Sequence, residues 1–376
     1  MDLEYTHPTD VYAIRPCRAP DANDLLAIAG EHSVDILQVS DSALQLIATF
    51  HVGTRITTLA WSARTVSPSA SASWVIELVA AASDFGLHLL TKSAGAQEHI
   101  FPFGGGLSGH HGKVNDMAFC GGWDADGARY VATVSDDKML MVWDLHPPVQ
   151  APSSPSPGFD DLGLSPSPSS RPQPTAYPIA FPNPLTSIRA HPSTSKEFLV
   201  ADSRGSVFLT DWRADPDDTE DGALRHSSVV ELIEPTALGA AVMGETKTWS
   251  ASVDWRSDAI DIIGGVFGNK FALWDIAKLR GGTPFASGSS FPDGVQLFRW
   301  CHTHPDYFGV AAQAPAGGAV VHVYNCSYVH AAPTAFALRP RPHFVRDFDF
   351  LALPGIPRIA AALGRIVVVW PIGEDS

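Results

Sequence analysis

Short apolar runs alternate with clusters of Gly, Asp, Ser and Pro along almost the whole chain. The runs are about four to eight residues long and rich in β-branched and aromatic residues, so they predict β-strands. Many runs are paired: an apolar strand, a tight polar turn and a second strand. The clearest pair, 132–144, ends in Trp-Asp, and 198–211 and 262–275 share its pattern.

Seven such hairpins follow one another, and a further strand precedes each. They span 25–39, 75–90, 132–144, 198–211, 262–275, 308–324 and 358–370. A four-stranded unit that recurs about every 40–45 residues, with Trp-Asp ending its third strand, is typical of a WD repeat. We therefore expect an all-β fold, a seven-bladed WD40-type β-propeller, as a single domain over 1–376. The last hairpin lacks an outer strand of its own, so we expect the N-terminal strand 3–7 to complete the last blade.

Two segments interrupt the repeat. Residues 147–176 are rich in Pro and Ser and poor in large apolar side chains, which predicts a disordered insertion in blade three. Its Ser-Pro pairs are either targets of proline-directed kinases or chance pairs in a spacer; the serines are Ser154, Ser156, Ser165 and Ser167. Residues 214–226 carry five acidic side chains and predict an acidic loop insertion, which is either simply solvated or a docking patch.

Blade three has the fullest set of WD-type positions. A blade buries polar groups against its neighbour, and such groups are costly unless each has a partner. By resemblance to WD repeats, one buried chain of hydrogen bonds is expected from His110, Thr133, Asp137 and Trp143.

Other blades depart from this pattern. Thr210 stands where blade four would have its Trp, and Gly268 where blade five would have its Asp. Packing between the sheets must hold those blades instead. The other WD-type positions are Asp211, Trp274 and Asp275.

Composition narrows the function. The chain has 25 basic and 40 acidic residues and a formal charge of −15, which argues against direct nucleic-acid binding, because that depends on Lys and Arg. The four cysteines lack paired spacing, so we expect no disulfide framework or zinc ribbon. The Cys-His-Thr-His run at 301–304 suggests a metal site, but His304-Pro305 matches His191-Pro192 after another inner strand and indicates a turn.

Neither catalysis nor a membrane is indicated. No nucleophile is visibly partnered by a base, so we expect no enzyme activity and no cofactor. The acidic N-terminal segment has no apolar run, and the apolar stretch near 359–370 is interrupted by Gly364 and Arg365. We therefore expect neither a signal peptide nor membrane insertion.

The order and the amino-acid sequences of the repeats resemble those of the small WD-repeat nucleoporins of the Y-shaped nuclear pore scaffold complex. The matching stretches are 51–61, 109–144, 198–211, 264–276 and 297–300. The resemblance implies a non-enzymatic scaffold that docks on the large propeller-solenoid subunit of the short arm and meets other Y-complex subunits indirectly. It also implies a place at the nuclear envelope and a role in pore assembly and in mRNA and protein transport.

Two other classes stay open at this stage. A substrate receptor of a ubiquitin ligase or chromatin complex would read a peptide with basic or aromatic loop residues, and Arg55, Lys113 and Arg256 are the candidates. A propeller enzyme would need carboxylates or histidines that converge on the channel. The sequence assigns no residue to a partner interface.

Overall fold

The structure is a computed structural model that describes residues 2–122, 125–147, 171–213, 230–233, 239, 243, 251–278, 282–292, 294–312 and 317–373. All four serines of the Ser-Pro pairs and the whole acidic segment 214–226 lie outside this set. The described residues form seven antiparallel four-stranded sheets.

Each of the first four sheets runs outward in chain order. Blade one contains β2 (Ala13–Pro16), β3 (Leu25–Ala29), β4 (Ser33–Val39) and β5 (Leu44–His51). Blade two contains β6 (Ile56–Trp61), β7 (Val75–Ala82), β8 (Leu87–Ser93) and β9 (His99–Phe103). Blade three contains β10 (Val114–Phe119), β11 (Tyr130–Ser135), β12 (Met139–Asp144) and β13 (Thr175–Ala180). Blade four contains β14 (Leu185–Ala190), β15 (Glu197–Asp202), β16 (Ser206–Asp211) and β17 (Val230–Ile233).

The remaining blades complete the ring. Blade five contains β18 (Ser252–Trp255), β19 (Ile262–Phe267), β20 (Lys270–Asp275) and β21 (Ala286–Ser289). Blade six contains β22 (Leu297–Trp300), β23 (Tyr307–Ala311), β24 (Ala319–Asn325) and β25 (Thr334–Arg339). Blade seven contains β26 (Asp347–Phe350), β27 (Arg358–Leu363), β28 (Ile366–Pro371) and β1 (Leu3–Thr6). Short 3₁₀ helices lie at Pro20–Ala22, Gly106–Ser108, Ala125–Ala128, Ile276–Lys278 and Cys326–Tyr328.

The N-terminal strand closes the ring. β1 pairs antiparallel with β28, with Leu3 opposite Val369 and Thr6 opposite Ile366. An open seventh blade would leave a sheet edge exposed, and this pairing covers it. The prediction of a seven-bladed propeller closed by an N-terminal strand is confirmed.

The blades pack face to face, so both faces of the middle strands are buried. All five residues of β3 are buried, which is why its sequence reads as a continuous apolar run. Leu26 and Ile28 on β3 belong to the cluster between blades one and seven, whereas Leu25 and Ala27 pack towards blade two. Each pair of neighbouring blades thus shares a core of its own.

The ring has two faces. One, which we call the turn face, carries the seven hairpins that join the second strand of each blade to the third. In blade six this connection is longer, because β23 ends at Ala311 and β24 begins at Ala319. The other face, the loop face, carries the connections that follow the inner strands and those that lead to the outer strands. Thr175 and Ala176 pair with Asp144 and Trp143, so β13 begins inside the range 147–176. The insertion of blade three therefore ends before residue 175, and it leaves the ring at the loop face.

Candidate functional site

The four WD-type residues of blade three meet in the structure. His110 Nδ1 lies 2.9 Å from Asp137 Oδ2, and His110 Nε2 lies 2.7 Å from Thr133 Oγ1. The indole N–H of Trp143 donates to the same Thr133 hydroxyl at 3.0 Å. The chain of hydrogen bonds thus runs from the hairpin turn of blade three to its third strand.

Burial governs the protonation of this chain. Desolvation lowers the pKa of His110 despite the opposing effect of Asp137. Asp137 also accepts backbone N–H bonds from His111 at 2.9 Å and from Met139 at 3.0 Å. Burial alone would raise the pKa of Asp137. These N–H groups and His110 outweigh the effect of burial, so the pKa of Asp137 is lowered. Every member of the chain has a partner, so the arrangement fixes the hairpin and leaves no group free to react.

The other WD-type positions make only local contacts. Asp211 accepts the N–H of Arg213 at 2.8 Å, and Asp275 accepts the N–H of Ala277 at 3.1 Å. Trp274 donates to the carbonyl of Gly282 at 2.9 Å. Thr210 is buried on β16, and Gly268 occupies the hairpin turn of blade five with a φ of 56°. None of these described residues joins the chain of blade three.

A second cluster lies on the propeller axis. Six of the seven inner strands place at least one charged side chain there, and β6 contributes Thr58 instead. We call this cluster the axial belt; its members are Arg15, Arg18, Asp116, Arg189, Asp254, Arg299, Asp347 and Asp349. The sequence analysis missed it, although one or two charges in each of six otherwise apolar inner strands were a usable signal.

One half of the belt is tightly paired. Asp116 forms salt bridges with Arg15 at 3.1 Å and with Arg189 at 2.5 Å. Asp347 forms salt bridges with Arg15 at 2.5 Å and with Arg299 at 3.1 Å. Two carboxylates and three guanidinium groups thus form a continuous run across the axis, in which every charged group has a partner of opposite charge.

The other half is looser and faces the cavity described below. Asp254 lies 3.5 Å from Arg189, and Asp349 lies 3.9 Å from Arg299. Arg18 reaches this pair at 3.5 Å from Asp349 and 3.9 Å from Asp254. Its side chain is 35% exposed, against 14% or less for the other arginines of the belt.

Asp116, one of the carboxylates on the axis, is not poised for proton transfer. Burial would raise the pKa of Asp116, but the charges of Arg189, Arg15 and Arg299 and the N–H of Ile188 lower it well below its ordinary value. Desolvation, followed by repulsion from Arg189, lowers the pKa of Arg299. A general acid needs a pKa near the working pH, and Asp116 is shifted in the opposite direction.

A cavity of about 310 Å³ opens beside the belt on the loop face. Arg18, Asp254 and Asp349 line it, together with His302 from the loop after β22. Most of the remaining lining is apolar and comes from Leu59, Ala60, Trp61, Met117, Phe119 and Trp255. We call this space the axial cavity.

Of the Cys-His-Thr-His run, His302 lines this space. The Sγ of Cys301 lies 3.6 Å from the hydroxyl of Thr303, and His304 Nδ1 lies 3.2 Å from the same hydroxyl. Within the part of the chain that the structure describes, no group of three or more His, Cys, Asp or Glu side chains is placed to hold a metal ion.

No helix among the described residues is long and apolar enough to span a membrane.

A third cluster lies at the outer rim of the loop face, between blades three and four. The ring centroids of Tyr130 and Trp212 are 5.1 Å apart, and those of Tyr177 and Trp212 are 5.8 Å apart. The guanidinium of Arg213 lies 4.6 Å from the Trp212 ring, and that of Arg129 lies 5.1 Å from Tyr130. Tyr177 is 56% exposed. We call these five residues the aromatic–arginine patch.

Salt bridges neutralise both arginines of the patch. Arg129 donates to Asp144 through Nε at 2.9 Å and Nη2 at 2.7 Å. Arg213 lies 2.8 Å from Asp126. The patch is therefore a rigid, amphipathic surface without net charge.

The basic residues considered for a peptide receptor do not form a ring. Arg55 precedes β6, and Lys113 precedes β10, so both lie at the turn face. Arg256 follows β18 and lies at the loop face, where it pairs with Asp258 at 2.6 Å and Asp306 at 3.2 Å. Arg55 lies over the ring of Tyr12 at 5.3 Å.

Two curated nucleoporins are similar to most of the chain. Nucleoporin Nup37 of Mus musculus is 22% identical over 306 residues, which are 79% of this chain and 74% of that protein. Nucleoporin Nup37 of Homo sapiens is 23% identical over the same shares of the two chains. These similarities support a WD-repeat nucleoporin of the Nup37 type. No protein-family model matches the chain, but the resemblance stated from the sequence is confirmed.

Further similarities concern the propeller. An uncharacterized WD repeat-containing protein of Schizosaccharomyces pombe is 28% identical over 111 residues, 29% of this chain and 22% of that protein. The crystal structure of Chaetomium thermophilum Raptor superposes with a TM-score of 0.65 at 12% identity. The match covers 99% of this chain but only 29% of the Raptor chain, so it shows the propeller fold alone.

Proposed function

We propose that this chain is a non-enzymatic scaffold nucleoporin that docks on the large propeller-solenoid subunit of the Y-complex at the nuclear pore. The observation that carries the proposal is the similarity to nucleoporin Nup37 over 79% of the chain. Through this dock the chain meets other Y-complex subunits indirectly and supports pore assembly and nucleocytoplasmic transport.

The packing favours a rigid building block. The ring is closed by β1, and its axis is crossed by the paired charges of the axial belt. Compensated, buried charges hold the inner strands in one register, because displacement of either partner leaves a charge without compensation. A docking block of this kind meets its partner with a preformed surface and pays little conformational entropy on binding.

The aromatic–arginine patch is the docking surface that we propose. Interface residues that dominate binding energy are enriched in Trp, Tyr and Arg, and this patch consists only of those types. Its rings are already ordered by mutual contacts and by the bond from Trp212 Nε1 to the carbonyl of Ser195 at 2.8 Å. A stable contact centred there should bury at least about 1,000 Å² in total.

Co-expression with the helical region of the large subunit, followed by gel filtration, tests the proposal. We expect co-elution of the wild type and a loss of affinity of at least about tenfold for Tyr177→Ala, because an exposed tyrosine at the centre of an interface is a typical hot spot. Tyr328→Ala is the matched control, since Tyr328 is 72% exposed but belongs to blade six. Its affinity should equal that of the wild type.

Three results would change the proposal. Failure of the folded wild type to co-elute at low or high salt would remove the scaffold function and favour the peptide-receptor alternative. Equal affinity of Tyr177→Ala and wild type would move the dock away from the patch. Absence of a fluorescently tagged chain from the nuclear rim would contradict the location at the pore.

A further inference from the structure

We propose that the axial cavity binds a single carboxylate group through the guanidinium of Arg18. The site is distinct from the aromatic–arginine patch and does not depend on the proposed docking function. The ligand class is a small carboxylate with an apolar body, either free or at the end of a peptide chain.

The unused hydrogen-bonding capacity of Arg18 is the first observation. The closest carboxylate oxygens to its Nη2 are 3.5 Å away on Asp349 and 3.9 Å away on Asp254. Charge-assisted N–H···O bonds are ordinarily about 2.7–2.9 Å long. Arg15, by contrast, makes a 2.5 Å bond to Asp347 and a 3.1 Å bond to Asp116. Arg18 is therefore held near the belt but not saturated by it.

The nearby carboxylates do not need Arg18 to be satisfied. Asp254 accepts the N–H of Trp255 at 3.0 Å and the N–H of Trp300 at 2.8 Å. Asp349 accepts the N–H of Phe350 at 2.8 Å. Since backbone donors hold both groups independently of Arg18, its guanidinium can turn towards a carboxylate in the cavity. Its planar fork matches a carboxylate with two parallel N–H···O bonds.

The rest of the cavity supplies donors and apolar walls. Trp255 is 4% exposed, lines the cavity, and its indole nitrogen has no hydrogen-bond partner among the described residues. His302 projects from the rim, and burial, followed by the charge of Arg18, lowers the pKa of His302 to about 4. A neutral imidazole at pH 7 offers one further N–H. Leu59, Met117 and Phe119 would receive the apolar body of a ligand.

The size of the cavity fits this ligand class. Its volume of about 310 Å³ lies at the lower end of the range for small-molecule sites, roughly 300–1,000 Å³. One apolar residue with a terminal carboxylate, or a small monocarboxylate with an apolar body, fits in such a space. The rest of a peptide would lie on the loop face.

Titration calorimetry of the full chain with three probes tests the site. The probes are 4-methylpentanoate, an N-acetylated tetrapeptide of apolar residues with a free C-terminal carboxylate, and the same peptide amidated at its C-terminus. We expect the free peptide or 4-methylpentanoate to bind and the amide to bind at least about tenfold more weakly, because the charge-assisted bonds are lost. Tighter binding of the peptide would indicate a chain end as the source, and tighter binding of 4-methylpentanoate a free small molecule.

Variants of Arg18 and of Asp349 show whether the site binds an anion or a cation. Arg18→Gln should weaken carboxylate binding at least about tenfold, whereas Asp349→Asn should strengthen it because Arg18 then loses a competitor. Arg204→Gln, in the exposed turn of blade four on the opposite face, is the matched control and should bind like the wild type. Equal melting temperatures of the variants would establish that each folds.

Several results would overturn the site. One is no binding of either carboxylate probe to the wild type at roughly 10 mM, a concentration that detects even weak ligands. Another is equal carboxylate affinity of Arg18→Gln and wild type. The third is binding of N-acetyl-arginine amide that Arg18→Gln strengthens and Asp349→Asn weakens, since that pattern belongs to a cation site. Co-elution with the large subunit should be unaffected by Arg18→Gln, so the two proposals can fail separately.

Discussion

Blades three and five contain the same hairpin but hold it by different means. In blade three, the indole N–H of Trp143 donates to the hydroxyl of Thr133, which continues to His110 and Asp137. In blade five, the indole N–H of Trp274 turns away and donates to the carbonyl of Gly282. The ring of Phe267 meets Trp274 edge to face with centroids 5.7 Å apart, just as Phe103 of blade two meets Trp143 at 5.6 Å.

Glycines explain why blade five can dispense with the polar chain. Trp143 pairs with Val131 and Trp274 with Ile263, so Gly265 stands at the position of Thr133. A Cβ added at the preceding residue, Gly264, would lie 2.3 Å from Cζ of Phe298 on the inner strand of blade six. The missing side chain of Gly264 lets the rings of the next blade approach the sheet, and that of Gly265 leaves room for Phe267 of the same blade, whose Cζ would lie 3.0 Å from an added Cβ. Two solutions, hydrogen bonds and close aromatic packing, thus stabilise the same backbone.

The largest effect should come from filling the space that blade five leaves for blade six. Gly264→Val would collide with Phe298 and Trp300, and such overpacking costs about 1–3 kcal/mol or more of the free energy of unfolding. Denaturant unfolding measures it. Gly105→Ala is the control, because a Cβ there meets nothing within 4 Å. If Gly264→Val unfolds like Gly105→Ala, aromatic packing does not replace the polar chain.

A smaller effect is expected from breaking the polar chain of blade three. Asp137→Ala leaves His110 and the N–H groups of His111 and Met139 without their acceptor, which should cost about 1–3 kcal/mol. Asp275→Ala is the matched variant in blade five. Because Asp275 makes only a local N–H bond and a salt bridge to the exposed Lys278, its loss should cost about 0–1 kcal/mol. Equal costs by denaturant unfolding would erase the contrast between the blades.

The smallest effect is expected on the dependence of the free energy of unfolding on pH. Desolvation lowers the pKa of His110 below its ordinary 6.5, so the unfolded chain binds the proton first as the pH falls. Neutral His110 makes its full contribution to the free energy of unfolding above about pH 6.5. Below that pH the contribution declines by less than about 1.4 kcal/mol per pH unit, which is the limit for one proton. His110→Asn should remove this part of the slope. An unchanged slope between pH 6.5 and 5 would mean that His110 does not titrate with folding.

Much of the fold could be predicted because the residues that specify each hairpin lie close together in the sequence. The predicted hairpin 25–39 has the same outer limits as β3 and β4, and the closing strand 3–7 differs from β1 by one residue. The four residues of blade three were found because they lie within 34 positions of one another in a recognised motif. The axial belt was missed because Arg15 and Asp347 are distant in the sequence and meet only when the ring closes.

The sequence by itself determined the strands, their order, the number of blades and the strand that closes the ring. Periodicity and turn residues act over a few positions, so they can be read without knowledge of the partners. Only the tertiary structure decided what occupies the axis, where a cavity remains, and that Tyr130, Tyr177 and Trp212 share one surface. These features depend on contacts between residues of different blades. Such contacts are set by how the sheets pack around the ring, which no local pattern encodes.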